Sequence, residues 1–368
     1  MANPMPRFTL STPLSRRLGL AAPIFQAPMA GGPTTPELVL AVGRAGALGA
    51  FGFAYTEPAQ MRSAVERVRA QADVPIHINL FVEPAPPVPS AADVQAAARA
   101  LEPAFSRFGL SPPQQLSPPW APDPSAQIEA ALALKPAVLS FHFNVFADDV
   151  TRAAHERGIL VGGAATTPEE AEAIEAAGAD FVIAQGAEAG GHRGTFHGAA
   201  EPGMIGLMAL TRLIVARTNL PVVAAGGIMD GAGLAAALAL GAQAVQMGTA
   251  FLACTECGAH SQHKRALKTH SARGTVVTNA FSGRAARAIR NDYVEFAQSR
   301  PAPVLPFPIQ NKLTAPLRTG SAQRGDPAAM ALYAGQAFAL AREEPAGALI
   351  ERCMRDAQQI VATLASGQ

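Results

Sequence analysis

The chain has 368 residues, 49% of them hydrophobic and only 15% charged, with a formal net charge of +1. That apolar content supports a sizeable buried core and excludes a disordered chain; a near-neutral balance without a Lys/Arg block excludes a nucleic-acid footprint and a polybasic membrane anchor. No run reaches the roughly eighteen uninterrupted apolar residues of a membrane span and no signal-peptide pattern opens the chain, so a soluble cytoplasmic protein is expected.

In chain order, short apolar runs read as strands near Pro23–Gln26, Leu48–Phe51, Pro75–Leu80, Ala137–Ser140, Ile159–Gly162, Asp180–Ala184, Pro221–Ala225 and Ala244–Met247. Alanine-rich helical patterns separate them. Two helix starts are chemically marked: Thr35-Pro36-Glu37 places a capping hydroxyl, a first-turn proline and an acid in succession, and Thr167-Pro168-Glu169-Glu170 repeats this with a capping box. Gly158, Gly178 and Gly241 fall where helices should end. The βα alternation, with no two-residue hairpin signal, predicts parallel strands with helices outside. Eight such units close as a (β/α)8 TIM barrel, assigned to residues 1–253.

One interruption, at about 83–125, is proline-rich and encloses a helical stretch, Ala91–Phe105; it reads as an excursion near the barrel mouth. After Cys254 the strand rhythm stops. Residues 254–368 read as a C-terminal helical appendage beside the mouth, ending in a helical pair around Met330–Arg342 and Leu349–Leu364.

Ligands of such barrels sit at the C-terminal ends of the strands, with phosphate commonly held after the seventh and eighth. There this chain has Ala225-Gly226-Gly227-Ile228 and Gln246-Met247-Gly248-Thr249. Amides of Gly227 and Gly248, with the Thr249 hydroxyl, would cradle a phosphate without lysine or arginine. The same glycines would also permit close helix-on-strand packing with no ligand at all. Gly43, Gly46 and Gly49 miss the dinucleotide spacing, so a single phosphate, as in FMN, is the better expectation. Past the sixth strand, Gln185 to Gly194 carries four glycines and one imidazole, His192, on a predicted loop where it can exchange protons. Asn79, His142 and Gln185 also fall at strand ends, and His77 shares a strand face with Asn79.

Three cysteines make no disulfide framework. Cys254-x-x-Cys257 continues into His260 and His263, but four ligands so close on an apparent helix cannot converge on one ion; they read as structural, and no metal is expected.

Several segments, taken together and in order, resemble the nitronate monooxygenases of class I: Gln26–Gly31 with Thr35–Leu38, Asn79–Phe81, Ser140–Phe143, Ala184–Gly194, Ala224–Ile228, Gln246–Leu252, Phe281–Arg284 and Leu313–Leu317. The resemblance implies non-covalent FMN and oxidation of alkyl nitronates, with nitroalkanes as further candidates, by O2 to a carbonyl compound and nitrite. It makes His192 the catalytic base and His142 a second active-site histidine. It assigns FMN contacts to Met29, Asn79, Gln185, Gly190, Gly191, Gly226, Gly227, Gln246, Met247, Gly248 and Thr249. One departure is Phe307, where such enzymes often carry tyrosine, which puts a substrate hydrogen bond in question; Cys254 and Cys257 are also foreign to the pattern. A homodimer is a candidate assembly. Two other readings stand beside it: an FMN-dependent NAD(P)H:quinone or enoyl-acyl-carrier-protein reductase of the same barrel group, some of which share the stretch Glu188–His192, and, from a different class, a phosphate-binding barrel without redox activity.

Overall fold

The protein is seen in a computed structural model that describes residues 10–269, 273–300 and 302–366. A short capped helix, α1 (Pro13–Arg17), leads into eight parallel strands: β1 (Ile24–Gln26), β2 (Gly49–Gly52), β3 (Ile76–Phe81), β4 (Val138–His142), β5 (Leu160–Ala165), β6 (Phe181–Gln185), then, past the separate two-residue β7 (Gly191–His192), β8 (Val222–Ala225) and β9 (Ala244–Met247). The sheet runs β1-β9-β8-β6-β5-β4-β3-β2. Hydrogen bonds from Gln26 N to Leu48 O (2.9 Å) and Leu48 N to Ile24 O (3.0 Å) close it into a barrel. The eight-stranded expectation holds, each strand starting within one residue of its predicted start.

Helices α2 (Pro36–Arg44), α3 (Pro58–Arg69), α4 (Ala91–Ser106), α5 (Pro124–Leu134), α6 (Asp148–His155), α7 (Pro168–Ala176), α8 (Leu207–Arg217) and α9 (Gly231–Ala239) connect the strands, α4 and α5 both lying between β3 and β4. The Thr35 hydroxyl accepts from Leu38 N (3.0 Å), as its capping sequence requires. Thr167 likewise accepts from Glu170 N, but the expected reciprocal capping box does not form. Glu170 turns its carboxylate to Thr166 and to the amides of Phe196 and His197, because a buried anion gains more from four donors than from one.

The barrel interior is filled by Phe25, Leu48, Phe181, Ile183 and Val223, with Phe25 and Phe181 meeting edge to face at 6.0 Å. Small residues on β5 make room for such rings. A Cβ on Gly162 would lie 2.3 Å from the Phe181 ring, and one on Gly163 only 2.1 Å from Phe141.

Past the one-turn helix α10 (Thr249–Leu252) come α11 (Ser261–Thr269), β10 (Thr275–Thr278), β11 (Ala286–Ile289), α12 (Asp292–Ser299), α13 (Ile309–Gln323) and α14 (Ala346–Ser366). The strand rhythm therefore does not stop at Cys254: β10 and β11 pair antiparallel, and β11 pairs with β7. The final helical pair is also corrected. Residues 330–342 form no α-helix; Ala288 bridges Tyr333 there and a 3-10 turn covers Phe338–Leu340, whereas the second member, α14, is present. Apolar Leu349, Ile350, Cys353 and Ala357 follow helical spacing and pack α14 along the outside of the barrel on α9 and α2. Contact there is close: a Cβ on Gly231 would meet Cys353 O at 2.5 Å. Nearer the mouth, α4 of the proline-rich excursion shares one core with α12 and α13, through Leu101, Phe105, Val294 and Leu313. Among the described residues no helix is long and apolar enough to cross a membrane.

Candidate active site

A cavity of about 500 Å³ opens at the C-terminal ends of the barrel strands, within the size range of small-molecule sites. Met29, Asn79, His142, Gln185, Gly190, Gly191, His192, Gly226, Gly227, Gln246, Gly248 and Thr249 all line it. Met247 does not. Side chains alternate along a strand, so Gln246 faces inward and Met247 packs into the core between barrel and outer helices.

His192 sits not on a free loop, as expected, but on β7, where it pairs with Ala286. The flanking backbone is held from several sides. Gln185 donates from Nε2 to His192 O (2.9 Å) and accepts from Gly194 N (2.8 Å); His142 Nε2 also reaches His192 O (3.2 Å). Arg193, 1% exposed, donates to the carbonyls of Gln185, Gly186 and Gly203. Glu188 accepts from Leu207 N at the start of α8, and Arg287 Nε donates to Ala187 O. These tethers fix the glycine-rich segment, whose own residues favour mobility.

The imidazole is oriented by Ser282. Its Oγ lies 2.9 Å from His192 Nε2 and 3.2 Å from Arg284 O, an oxygen that can only accept. Ser282 thereby engages Nε2, and Nδ1, which has no partner among the described residues, is the ring nitrogen left free. Burial, with the nearby His142, Arg284 and Arg318, pushes the His192 pKa down to about 3. Burial likewise takes His142 to about 4, although its bond to the His192 carbonyl opposes this. Both are neutral at ordinary pH. Replacing Ser282 by Ala should lower kcat/KM by about 3- to 10-fold, the range of one lost hydrogen bond, without lowering ligand content. Steady-state assays check this.

Aromatic rings enclose the imidazole. Phe307 lies 5.6 Å and Tyr333 5.3 Å from it, centroid to centroid, and Phe143 lies 5.8 Å away. Phe143 takes a left-handed backbone (φ 80°) and stacks under the Arg284 guanidinium at 3.9 Å, while Arg284 also pairs with Glu83 (2.6 Å) at the start of the proline-rich excursion. Phe307 thus contributes only apolar surface. Tyrosines line the cavity instead at Tyr55 and Tyr333, neither of which stood out in the sequence. Tyr333 lies in a segment whose pattern resembled a helix, and nothing local marked it.

Several polar groups in this cavity await a ligand. Gln246 Oε1 is buried with no partner, and the Gly227 and Gly248 amides donate to no protein acceptor among the described residues. Gly226 (φ 127°) and Gly227 (φ 70°) adopt backbone that other residues avoid; a Cβ on Gly226 would stand 3.0 Å from Ala189 N. Asn79 donates from Nδ2 to Ser140 Oγ (2.7 Å), and His77 Nε2 hydrogen-bonds the same hydroxyl (2.6 Å), so the shared strand face is real and Asn79 keeps its carbonyl free. The donor set suits a phosphate at Gly227 and Gly248 and the amide-rich edge of a heteroaromatic ring at Asn79, Gln185 and Gln246.

Cys254 and Cys257 lie in a turn between α10 and α11 rather than on a helix. The Cys257 thiol donates to Pro33 O (3.1 Å) and His263 Nε2 bonds Tyr333 O (3.1 Å), so both tie loops beside the cavity. Among the described residues no group of three or more His, Cys, Asp or Glu is placed to hold a metal ion.

A profile of the family described as nitronate monooxygenase matches residues 13–356. A nitronate monooxygenase from Pseudomonas aeruginosa is 43% identical over 346 residues, covering 93% of this chain and 98% of the relative. Among solved structures, nitroalkane oxidase from Streptomyces ansochromogenes superposes with a TM-score of 0.87 at 39% identity, covering 95% of this chain and 99% of that one. FabK from Thermotoga maritima superposes with a TM-score of 0.73 at 29% identity, covering 97% and 99%. On the evidence of the whole-length match, the closed barrel and the histidine at its mouth, the chain belongs to the nitronate monooxygenase family.

Proposed function

We propose that the cavity holds FMN and that the protein oxidises alkyl nitronates with O2 to a carbonyl compound and nitrite. The observation that carries this reading is the pairing, in one cavity, of unsatisfied polar groups suited to a ring edge and a phosphate with a neutral, orientation-fixed imidazole. Gly227, Gly248 and Thr249 would hold the phosphate, and Asn79, Gln185 and Gln246 the ring. When bound, FMN supplies the redox capacity that no side chain here offers. The protein's own part is to orient substrate, exclude water through Phe81, Phe143 and Phe307, and take a proton at His192 Nδ1 when the substrate arrives as a neutral nitroalkane.

The test combines two measurements on the purified protein: chromatographic identification of the released chromophore, and nitrite yield with O2 uptake on propionate 3-nitronate. Near-stoichiometric FMN and nitrite formation are expected. Bleaching by NADH without nitrite formation would move the assignment to the reductases, and a colourless protein to a non-redox phosphate binder. Gly226→Ala should lower FMN content on the order of tenfold or more, since the strain of this backbone for an alanine, about 1–3 kcal/mol, falls on the cradle itself. Fluorescence of FMN released by denaturation reads that loss.

A further inference from the structure

The cavity wall carries a single formal charge. Among the described residues that line it, Arg318 on α13 is the sole Lys, Arg, Asp or Glu. Its Nε donates to Thr314 Oγ1 (3.2 Å), and its Nη2 donates to Asn311 O and Asn311 Oδ1 (both 2.7 Å). Those bonds use three of the five guanidinium N–H groups and hold the fork still. The two on Nη1 have no partner among the described residues, and no carboxylate pairs with the arginine. Asn311 Nδ2, beside it, is likewise unpartnered. Thr314 in turn donates to Phe281 O, next to the Ser282 that bonds His192, which places the guanidinium at the end of the cavity where the imidazole lies; its charge acts on Tyr55, Tyr333 and His192.

We infer that Arg318, with the Asn311 amide, is the specificity-determining anchor for a planar two-oxygen anion of the substrate, either the nitronate group itself or a carboxylate at its far end. This rests on the nitronate reading above. A fixed, half-buried cation without a counter-ion favours an anionic ligand over its neutral form, because the ligand completes hydrogen bonds that are stronger for being charge-assisted. A neutral nitroalkane gains little from the same group. The site therefore selects the deprotonated substrate by binding, separately from any proton transfer at His192.

Arg318→Met holoenzyme is compared with wild type on propane-1-nitronate, whose one anionic group is the nitronate, and on propionate 3-nitronate, which adds a carboxylate. KM should rise roughly 10- to 100-fold, the range of one charge-assisted hydrogen bond, with kcat changed less than about threefold. A rise on both substrates identifies the nitronate group as the bound anion; a rise only on propionate 3-nitronate identifies the carboxylate. Arg318→Lys, which keeps the charge, should recover most of the loss, as a merely structural role of the arginine would not predict. Unchanged KM on both substrates, with wild type still releasing nitrite, overturns the inference and leaves the proposed function intact. Failure of wild type on both nitronates instead sinks the proposed function. Calorimetric titration with propanoate reads the anion site without turnover: binding by wild type and none by Arg318→Met supports it, and equal binding by both overturns it. Arg318→Gln gives the same readouts if the methionine variant does not accumulate as folded protein.

Discussion

Replacing His192 by Asn should abolish turnover of neutral nitroalkanes, lowering kcat/KM by about 10²- to 10⁴-fold, while nitronate oxidation falls less than about tenfold. The asymmetry follows from the substrates. A nitroalkane must lose a carbon-bound proton before oxidation, and Nδ1 is the ring nitrogen left free to take it, Nε2 being engaged by Ser282. A nitronate arrives with that proton already gone. The pH profile adds a second check. A base works when unprotonated, and burial holds the His192 pKa down at about 3, so activity on nitroalkanes should show no acid limb near 6.5 and should fall only as pH approaches 3. Steady-state rates between pH 5 and 9, on one nitroalkane and its nitronate, decide the matter. Equal loss on both substrates would remove the proton-transfer role and leave His192 as a binding residue.

The barrel was legible because its signals are local and repeated. A capping threonine with proline marks α2 and α7, glycines with positive φ follow α7 and α9 (Gly178, 76°; Gly241, 99°), and apolar runs of strand length separate the helices. Most cavity residues were legible for the related reason that barrel ligands meet strand ends. What the sequence hid depends on contacts distant along the chain. β7 is two residues long and exists only because β11, nearly a hundred residues later, offers it a partner. α13 carries Pro316 in its interior, which reads as a break, yet Leu313, Thr314 and Leu317 bury a face strong enough to keep the helix. Arg318 was passed over because nothing in its neighbours along the chain reveals that α13 turns it toward the cavity. Glu170 misled in the opposite direction: its local role, a capping box, gave way to the better-paired position under residues 196–197.

That loop support sets up the largest effect on stability. Arg193→Met should lower the unfolding free energy by about 3–5 kcal/mol, as expected when one member of a buried charged network is removed. The substitution leaves the carbonyls of Gln185, Gly186 and Gly203 buried without donors, and takes away the positive charge facing Glu170 and Glu188. Burial of the guanidinium is itself unfavourable, lowering its pKa to about 10, so the methionine regains part of the loss; the stranded carbonyls decide the sign. Arg17 provides the comparison. It pairs with Asp180 at 2.7 Å, a shorter contact than two of the three that Arg193 makes, but its side chain is 53% exposed. Water screens that pair and replaces its partner, so Arg17→Met should change stability by less than about 1 kcal/mol. Denaturant unfolding of the two variants measures both, with nitrite assays below the transition. Arg193→Met should also lose activity while still folded, because Gln185 and Gly186 lead directly into the segment that carries His192. A small, equal effect from both arginines would mean that β7 and Gln185 alone hold the catalytic segment.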